Sequence, residues 1–282
     1  MNISRRELLK WGAGAGAACL AGASPLAAAA KPKDAKIPIG LQVYSVRHQA
    51  EKELPRVLEA VAKMGYQGVE FAGYYNWTAA DLRKMLDAGG LKCCGTHIRL
   101  DTLQGDALAG TVEFNQTLGN PYLIVSYMPH SMLESVEKIK ETAKIYDDVA
   151  AKVKENGMRV GYHAHGGDFV KVGDKTAWDL FFGSTCAGVS MQMDIGNCIE
   201  GGGDPYAILE AFPGRSATVH LKEYGGPKEA VVGEGEVDWK KVFRICETSG
   251  GTEWYIVEHE RGAGDPLENV KKCLANLRKM GK

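Results

Sequence analysis

Eight short apolar runs, each followed by a longer amphipathic run, predict an α/β chain that closes as a single-domain (β/α)8 TIM barrel. The alternation demands parallel pairing, because antiparallel neighbours would be joined by short hairpins instead. The pattern repeats across about 250 residues, the usual length of a closed eight-unit barrel. No second domain and no internal repeat interrupts it. The structural rival is a doubly wound open sheet, which would carry a Gly-rich phosphate turn after the first strand. There the chain reads Gln42-Val43-Tyr44-Ser45-Val46-Arg47 instead.

The barrel is expected over residues 37–282, after a linker at 31–36. Strands are expected at Ile39–Ser45, Gly68–Ala72, Leu91–His97, Tyr122–Tyr127, Met158–His165, Val189–Asp194, Ala217–Lys222 and Trp254–Glu258. Helices are expected between them at Glu53–Met64, Thr78–Ala88, Asp106–Leu118, Ser131–Asn156, Thr176–Phe182, Pro205–Ala211 and Trp239–Thr248, with Pro266–Met280 closing the chain. Thr78 with Asp81 reads as a helix N-cap. Gly65, Gly89, Gly119, Gly157 and Gly250 follow helical runs, where a left-handed C-cap is wanted.

Composition removes several function classes. Apolar residues at 45% and charged residues at 24% describe an ordinary globular chain. A net charge of −1 leaves no basic surplus to neutralise a phosphate backbone, so a nucleic-acid partner is not expected. Cys93, Cys94, Cys186, Cys198, Cys246 and Cys273 form no C-x-x-C pair and read as buried thiols. The chain has neither a G-x-S-x-G elbow nor an H-E-x-x-H helix, so serine hydrolase and zincin chemistry find no support.

Residues 1–30 read as an address. Ser4-Arg5-Arg6-Glu7-Leu8-Leu9-Lys10 precedes a Gly/Ala-rich apolar run, and an A-x-A cleavage fits near Ala28 to Ala30. The segment resembles the twin-arginine export signal, with Leu8 standing for Phe. That resemblance implies export of a folded protein and a periplasmic location. The apolar run is too short and glycine-rich for a stable membrane span, so no membrane insertion is expected after cleavage. The alternative is an amphipathic N-terminal helix of a cytoplasmic protein.

In a barrel, chemistry gathers at the C-terminal ends of the strands. Glu70 lies on the second expected strand, His97 ends the third, and His163 and His165 lie at the end of the fifth. Asp194 ends the sixth, His220 and Lys222 lie on the seventh, and Glu258 and Glu260 end the eighth. Buried singly, each would be costly, and converging on one mouth they suit a shared divalent cation. Tyr74, Tyr75 and Trp77 follow the second strand, where aromatic rings can stack on a sugar. Gly233-Glu234-Gly235 lacks the Lys and Ser/Thr of a phosphate loop and reads as a tight turn over the site.

These marks together resemble the sugar phosphate isomerase/epimerase family, the xylose isomerase-like TIM barrels, from about Ile37 onward. They are Gly40-Leu-Gln-Val-Tyr-Ser-Val-Arg47, Gly65-Tyr-Gln-Gly-Val-Glu-Phe-Ala-Gly73, Tyr162-His-Ala-His165, Met193-Asp-Ile-Gly-Asn197, Gly203-Asp-Pro205, Val219-His-Leu-Lys222, Val232-Gly-Glu-Gly235 and Val257-Glu258. The resemblance implies one divalent cation, manganese first and cobalt, zinc or iron as alternatives, on Asp194, His220, Glu258 and His163 or His165. A histidine stands where the family places a fifth-strand glutamate, which removes the family's two-glutamate pair.

The chemistry so implied is proton abstraction beside a carbonyl of a keto-sugar or 3-keto-glycoside, ending in epimerisation, isomerisation or β-elimination. His165, Lys222, Glu258 and Glu70 are the expected catalytic residues. Tyr44, His97, Trp77, Glu234 and Arg261 are the expected substrate contacts. A small-molecule sugar or glycoside is the expected partner, with a homo-oligomer by analogy and a sugar oxidoreductase as functional companion. A non-enzymatic periplasmic sugar-binding barrel is the alternative. The family's DNA-repair endonuclease branch is disfavoured by the net charge and the export signal.

Overall fold

The computed structural model describes residues 36–262 and 264–282. The expected signal segment and all but Lys36 of the linker lie outside the described residues. Ten strands are found among them: β1 (Ile39–Gln42), β2 (Gly68–Ala72), β3 (Lys92–Ile98), β4 (Tyr122–Val125), β5 (Arg159–His163), β6 (Lys171–Val172), β7 (Lys175–Thr176), β8 (Ser190–Asp194), β9 (Thr218–Leu221) and β10 (Trp254–Val257). All but β6 and β7 form a closed parallel barrel in the order β1-β10-β9-β8-β5-β4-β3-β2. The helices are α1 (Arg47–Met64), α2 (Ala79–Gly89), α3 (Ala107–Leu118), α4 (Val136–Lys154), α5 (Ala177–Ser184), α6 (Ile195–Glu200), α7 (Pro205–Ala211), α8 (Trp239–Ile245) and α9 (Pro266–Lys279). None is long and apolar enough to cross a membrane.

Local chemistry sets the boundaries. The Thr78 hydroxyl accepts from Asp81 N at 3.1 Å, and Thr176 and Ser135 cap α5 and α4 in the same way. The left-handed residues after α2 and after the π turn that ends α8 are Gly90 and Gly251, one residue beyond the expected Gly89 and Gly250. α1 begins six residues earlier than its expected start at Glu53, and its helical path breaks at that residue (φ −147°). Pro55 lies just beyond the break, where its missing N–H cannot continue the ladder. Three features were not anticipated: the β6–β7 hairpin turning at Gly173, the short helix α6 and the π turn at Cys246–Gly250.

Five barrel strands, β1, β4, β5, β9 and β10, end earlier than their apolar runs. Val43–Val46 turns into a 3-10 helix, and the residues after Val125, His163, Leu221 and Val257 leave the ladder to line the mouth. Beneath them the shell between strands and helices is dense. Trp178, Tyr162, Phe181 and Phe182 are wholly buried and meet edge-on or tilted, with Trp178 and Phe182 centroids 4.5 Å apart.

Trp178→Ala is expected to lower stability by roughly 3–5 kcal/mol, read by chemical denaturation. The buried Tyr146 hydroxyl has no hydrogen-bond partner, so Tyr146→Phe should leave the unfolding midpoint unchanged or raise it.

Candidate metal centre and sugar pocket

The site grows from a bulge. β2 and β3 pair Val69 with Cys93 and then Glu70 with Gly95, so one residue of β3 is skipped. A side chain at position 95 would place its Cβ 2.1 Å from Glu70 Oε1, so only glycine leaves room for that carboxylate. Glu70 is wholly buried and accepts from Gln42 Nε2 and Gln192 Nε2, both at 2.8 Å. Its Oε2 lies 2.6 Å from His220 Nε2 and 3.2 Å from His97 Nε2.

Gln192 of β8 is the second anchor. Its amide nitrogen donates to Glu70 and to Thr218 Oγ1, and its oxygen lies 2.8 Å from His97 Nε2 and 3.0 Å from His163 Nδ1. An amide oxygen only accepts, so these two ring nitrogens are the donors. His163 is thereby left with Nε2 free, and His220, held at Nε2 by Glu70, turns Nδ1 toward Glu258 Oε2 at 2.7 Å. Asp194 Oδ1 accepts from Asn197 N at 2.8 Å and caps α6. Its other oxygen is buried without a partner, 3.9 Å from His220 Nδ1.

His163, Asp194, His220 and Glu258 are all buried, and one donor atom from each lies within 4.8 Å of the others. An orphaned carboxylate oxygen aimed into two imidazoles and a second carboxylate fits a divalent cation, and the mixed N/O set suits a first-row transition metal. Burial disfavours an imidazolium at His220, yet Glu70 and Glu258 push it up to about 10. Burial likewise opposes the charge on Glu258, but the His220 hydrogen bond and the Lys222 ammonium hold its carboxyl well below the ordinary range. Asp194 has no such hydrogen-bonded cation, and burial pushes it up to about 7 despite Lys222 nearby.

Over the cluster opens a pocket of about 610 Å³ whose walls include Tyr44, His97, His163, His165, Lys222, Glu258 and Glu260. Lys222 Nζ sits 3.2 Å from Glu258 and 2.5 Å from Glu260. His165 Nδ1 is turned into the protein at the start of the Gly166–Phe169 turn, and burial keeps this imidazole below its ordinary pKa.

The family model described as xylose isomerase-like TIM barrel matches residues 58–280. The chain belongs to the xylose isomerase-like TIM barrel family. A second model, the twin-arginine translocation pathway signal sequence, matches residues 2–22, the mark of export by that route. The inosose dehydratase of Erwinia tasmaniensis is 25% identical over 81% of this chain and 90% of its own. That of Clostridium beijerinckii is 23% identical over 79% and 88%. A solved sugar phosphate isomerase/epimerase from Parabacteroides distasonis superposes with a TM-score of 0.75 at 26% identity, covering 86% of this chain and 98% of that one.

Within this xylose isomerase-like barrel the expected residues separate into groups. His163, Asp194, His220 and Glu258 come together as one donor set, while His165 lies outside it in the pocket wall. Tyr44, His97 and Lys222 also line the pocket, whereas Glu70 lies buried beneath it. Trp77, Glu234 and Arg261 are not among the pocket walls. Trp77 sits on the loop after β2, Glu234 accepts from Val231 N and Asn276 Nδ2 away from the mouth, and Arg261 donates to Gly225 O. The turn at 233–235 instead wraps the buried Glu223 carboxylate, which accepts from Gly233 N, Val237 N and Trp239 Nε1.

Sequence reasoning passed over Gln42, Gln192, Thr218 and Asn197. The signal was present for Gln42 and Gln192, each an amide inside an otherwise apolar strand. Gln192→Leu and Gly95→Ala are expected to keep the barrel's circular dichroism while weakening divalent-metal affinity roughly 10–100-fold, because both dislodge partners that orient the imidazoles. Titration with Mn(II), followed by calorimetry, reads the effect.

Proposed function

We propose that the chain is an exported, metal-dependent carbohydrate enzyme that removes the proton α to the carbonyl of a keto-sugar or 3-keto-glycoside in the periplasm. The observation that carries this is the buried four-residue donor set lying directly under a sugar-sized pocket, with an imidazole and an ammonium in its walls. His163, Asp194, His220 and Glu258 would hold the cation, manganese first among the candidates. When bound, it supplies Lewis-acid polarisation of a carbonyl and its neighbouring hydroxyl.

The remaining work falls to the chain's own side chains. His165, kept neutral by burial and lining the pocket, is placed to take the α-proton. Lys222, kept charged by Asp194, Glu258 and Glu260 against the cost of burial, faces the oxyanion that develops. Glu258 is held ionised, which suits a ligand more than an acid. The proton-returning group is therefore assigned to Glu260, whose carboxyl is raised by burial and by the neighbouring Glu258 charge. Glu70 acts as a positioning residue through His220.

Epimerisation, isomerisation and β-elimination all pass through the same enolate. Relatives named as inosose dehydratases favour elimination. For a 3-keto-glycoside, His165 takes the C2 proton, the C1–O bond breaks, and the departing oxygen keeps the electron pair and takes up a proton.

Solvent-deuterium uptake at C2 of glucose-derived 3-keto-glycosides, with mature protein and Mn(II), is the direct test. Exchange or product formation is expected, and neither with any such ketone overturns the proposal. Asp194→Asn and His220→Ala should lose both bound metal and at least about a hundredfold in turnover; a sugar-binding protein would keep its ligand through either change. As pH falls, kcat/KM should decline through an apparent pKa below 6.5, because protonation removes the neutral base. His165→Gln should abolish that limb.

A further inference from the structure

Beside the sugar pocket, the loop after β2 and helix α3 border a second, open lobe of about 430 Å³. His97, Ile98 and Arg99 are walls of both cavities, so the two abut and share an edge within reach of the donor set. Their chemistry differs. The inner pocket is lined by titratable groups. In the outer lobe the Tyr74 and Phe114 rings lie 4.1 Å apart, and the Tyr74, Thr102 and Thr111 hydroxyls are engaged with protein. Asn115 Nδ2 donates to the Tyr74 oxygen at 3.1 Å, Thr111 Oγ1 to Thr102 O and Thr102 Oγ1 to Arg99 O, both at 2.7 Å. The Arg99 guanidinium pairs with Asp101 at 2.6 Å and is otherwise largely exposed to solvent.

A second sugar ring would bring hydroxyls against Tyr74, Ile98, Ala107 and Phe114 and against threonine hydroxyls already engaged with protein, whereas an apolar ring suits those walls. The loop that presents Tyr74 is also held in an unusual backbone. Gly73 has φ +91°, and the two residues after Tyr74, Tyr75 and Asn76, are left-handed at φ +52° and +62°. Bulky residues avoid that region, and it persists where the surroundings enforce it, commonly beside ligands.

We propose that this lobe is an aglycone subsite, taking the apolar or aromatic substituent of a keto-glycoside whose sugar ring fills the inner pocket. The assignment rests on the inner pocket being the sugar site, and it makes the substrate a glycoside with an apolar aglycone rather than a free keto-sugar. Gly110 gives a way to fill the lobe. It lies on α3 at the lobe wall, and an added Cβ there meets nothing within 4 Å.

Calorimetric binding of phenyl and methyl β-glucoside to the Mn(II)-loaded protein reads the lobe without turnover. Wild type is expected to prefer the phenyl compound by about tenfold or more. Gly110→Leu, which fills the lobe, and Phe114→Ala, which removes its wall, should each erase that preference and leave methyl β-glucoside affinity unchanged. The same pattern is expected in kcat/KM for phenyl and methyl 3-keto-β-glucoside. Equal affinities in wild type, or a preference that survives both substitutions, overturns the subsite. A phenyl preference lost in both variants, with no deuterium exchange in any ketone, sustains the subsite and overturns the proposed chemistry.

Discussion

Everything at the mouth of this barrel depends on two buried side chains that do not line the pocket, the Glu70 carboxylate and the Gln192 amide. Glu70 holds His220 at Nε2, and Gln192 receives His97 and His163 on one oxygen. An imidazole left free would rotate about χ2 and offer either nitrogen to solvent or to a metal. Here the partner below decides which nitrogen faces the cluster, and a buried hydrogen-bond network of this kind is rigid only when each member is satisfied. Gln42 and Thr218 complete it by donating to Glu70 and accepting from Gln192.

The network in turn dictates a feature of the sheet. A carboxylate at the centre of a barrel needs space that regular pleating does not provide. The bulge between β2 and β3 sets Gly95 opposite Glu70, and the missing Cβ becomes the volume into which Oε1 projects. The irregularity and the glycine are thus one device in two strands, placed where the site needs an acid rather than where the fold needs a turn. Asp194 shows the same economy at the other side of the ring. One oxygen caps α6 and so fixes the side chain, while the other remains directed at His220 and Glu258.

The barrel was legible because the alternation of strand and helix patterns is a long-range periodic signal, and acid and imidazole groups at the ends of apolar strands are costly enough to stand out. Asp194, His220 and Glu258 met that criterion and do converge. Gln192 did not, since an amide in Ser-Met-Gln-Met-Asp carries no charge to mark it, and its four hydrogen bonds reach β2, β3, β5 and β9. The loops were least readable. Val-Gly-Glu-Gly looks like a turn over the mouth, but its geometry is set by Glu223, ten residues earlier, whose carboxylate collects backbone donors from the far end of the loop. Helix α6 escaped notice because six residues give no periodic signal, and only the cap at Asp194 marks its start.

The charge arrangement makes the donor set one that could hold an ion. Glu70, Asp194 and Glu258 are three buried carboxylates, and the cations closest to them are His220 and Lys222. Lys222 is shared with a fourth carboxylate, Glu260. Glu70 and Glu258 draw on His220, which leaves Asp194 with an oxygen that neither a proton donor nor a cation contacts closely. Burying a carboxylate in that state costs several kcal/mol, and replacing such groups with apolar ones would stabilise a barrel that had no other use for them. A divalent charge at the meeting point of the four donors removes the imbalance in one step. The donors come from β5 and β8 and from the ends of β9 and β10, so the full set exists only once those strands have closed side by side. Completion of the site is therefore linked to completion of the barrel, which agrees with a leader of the kind that carries proteins outward already folded.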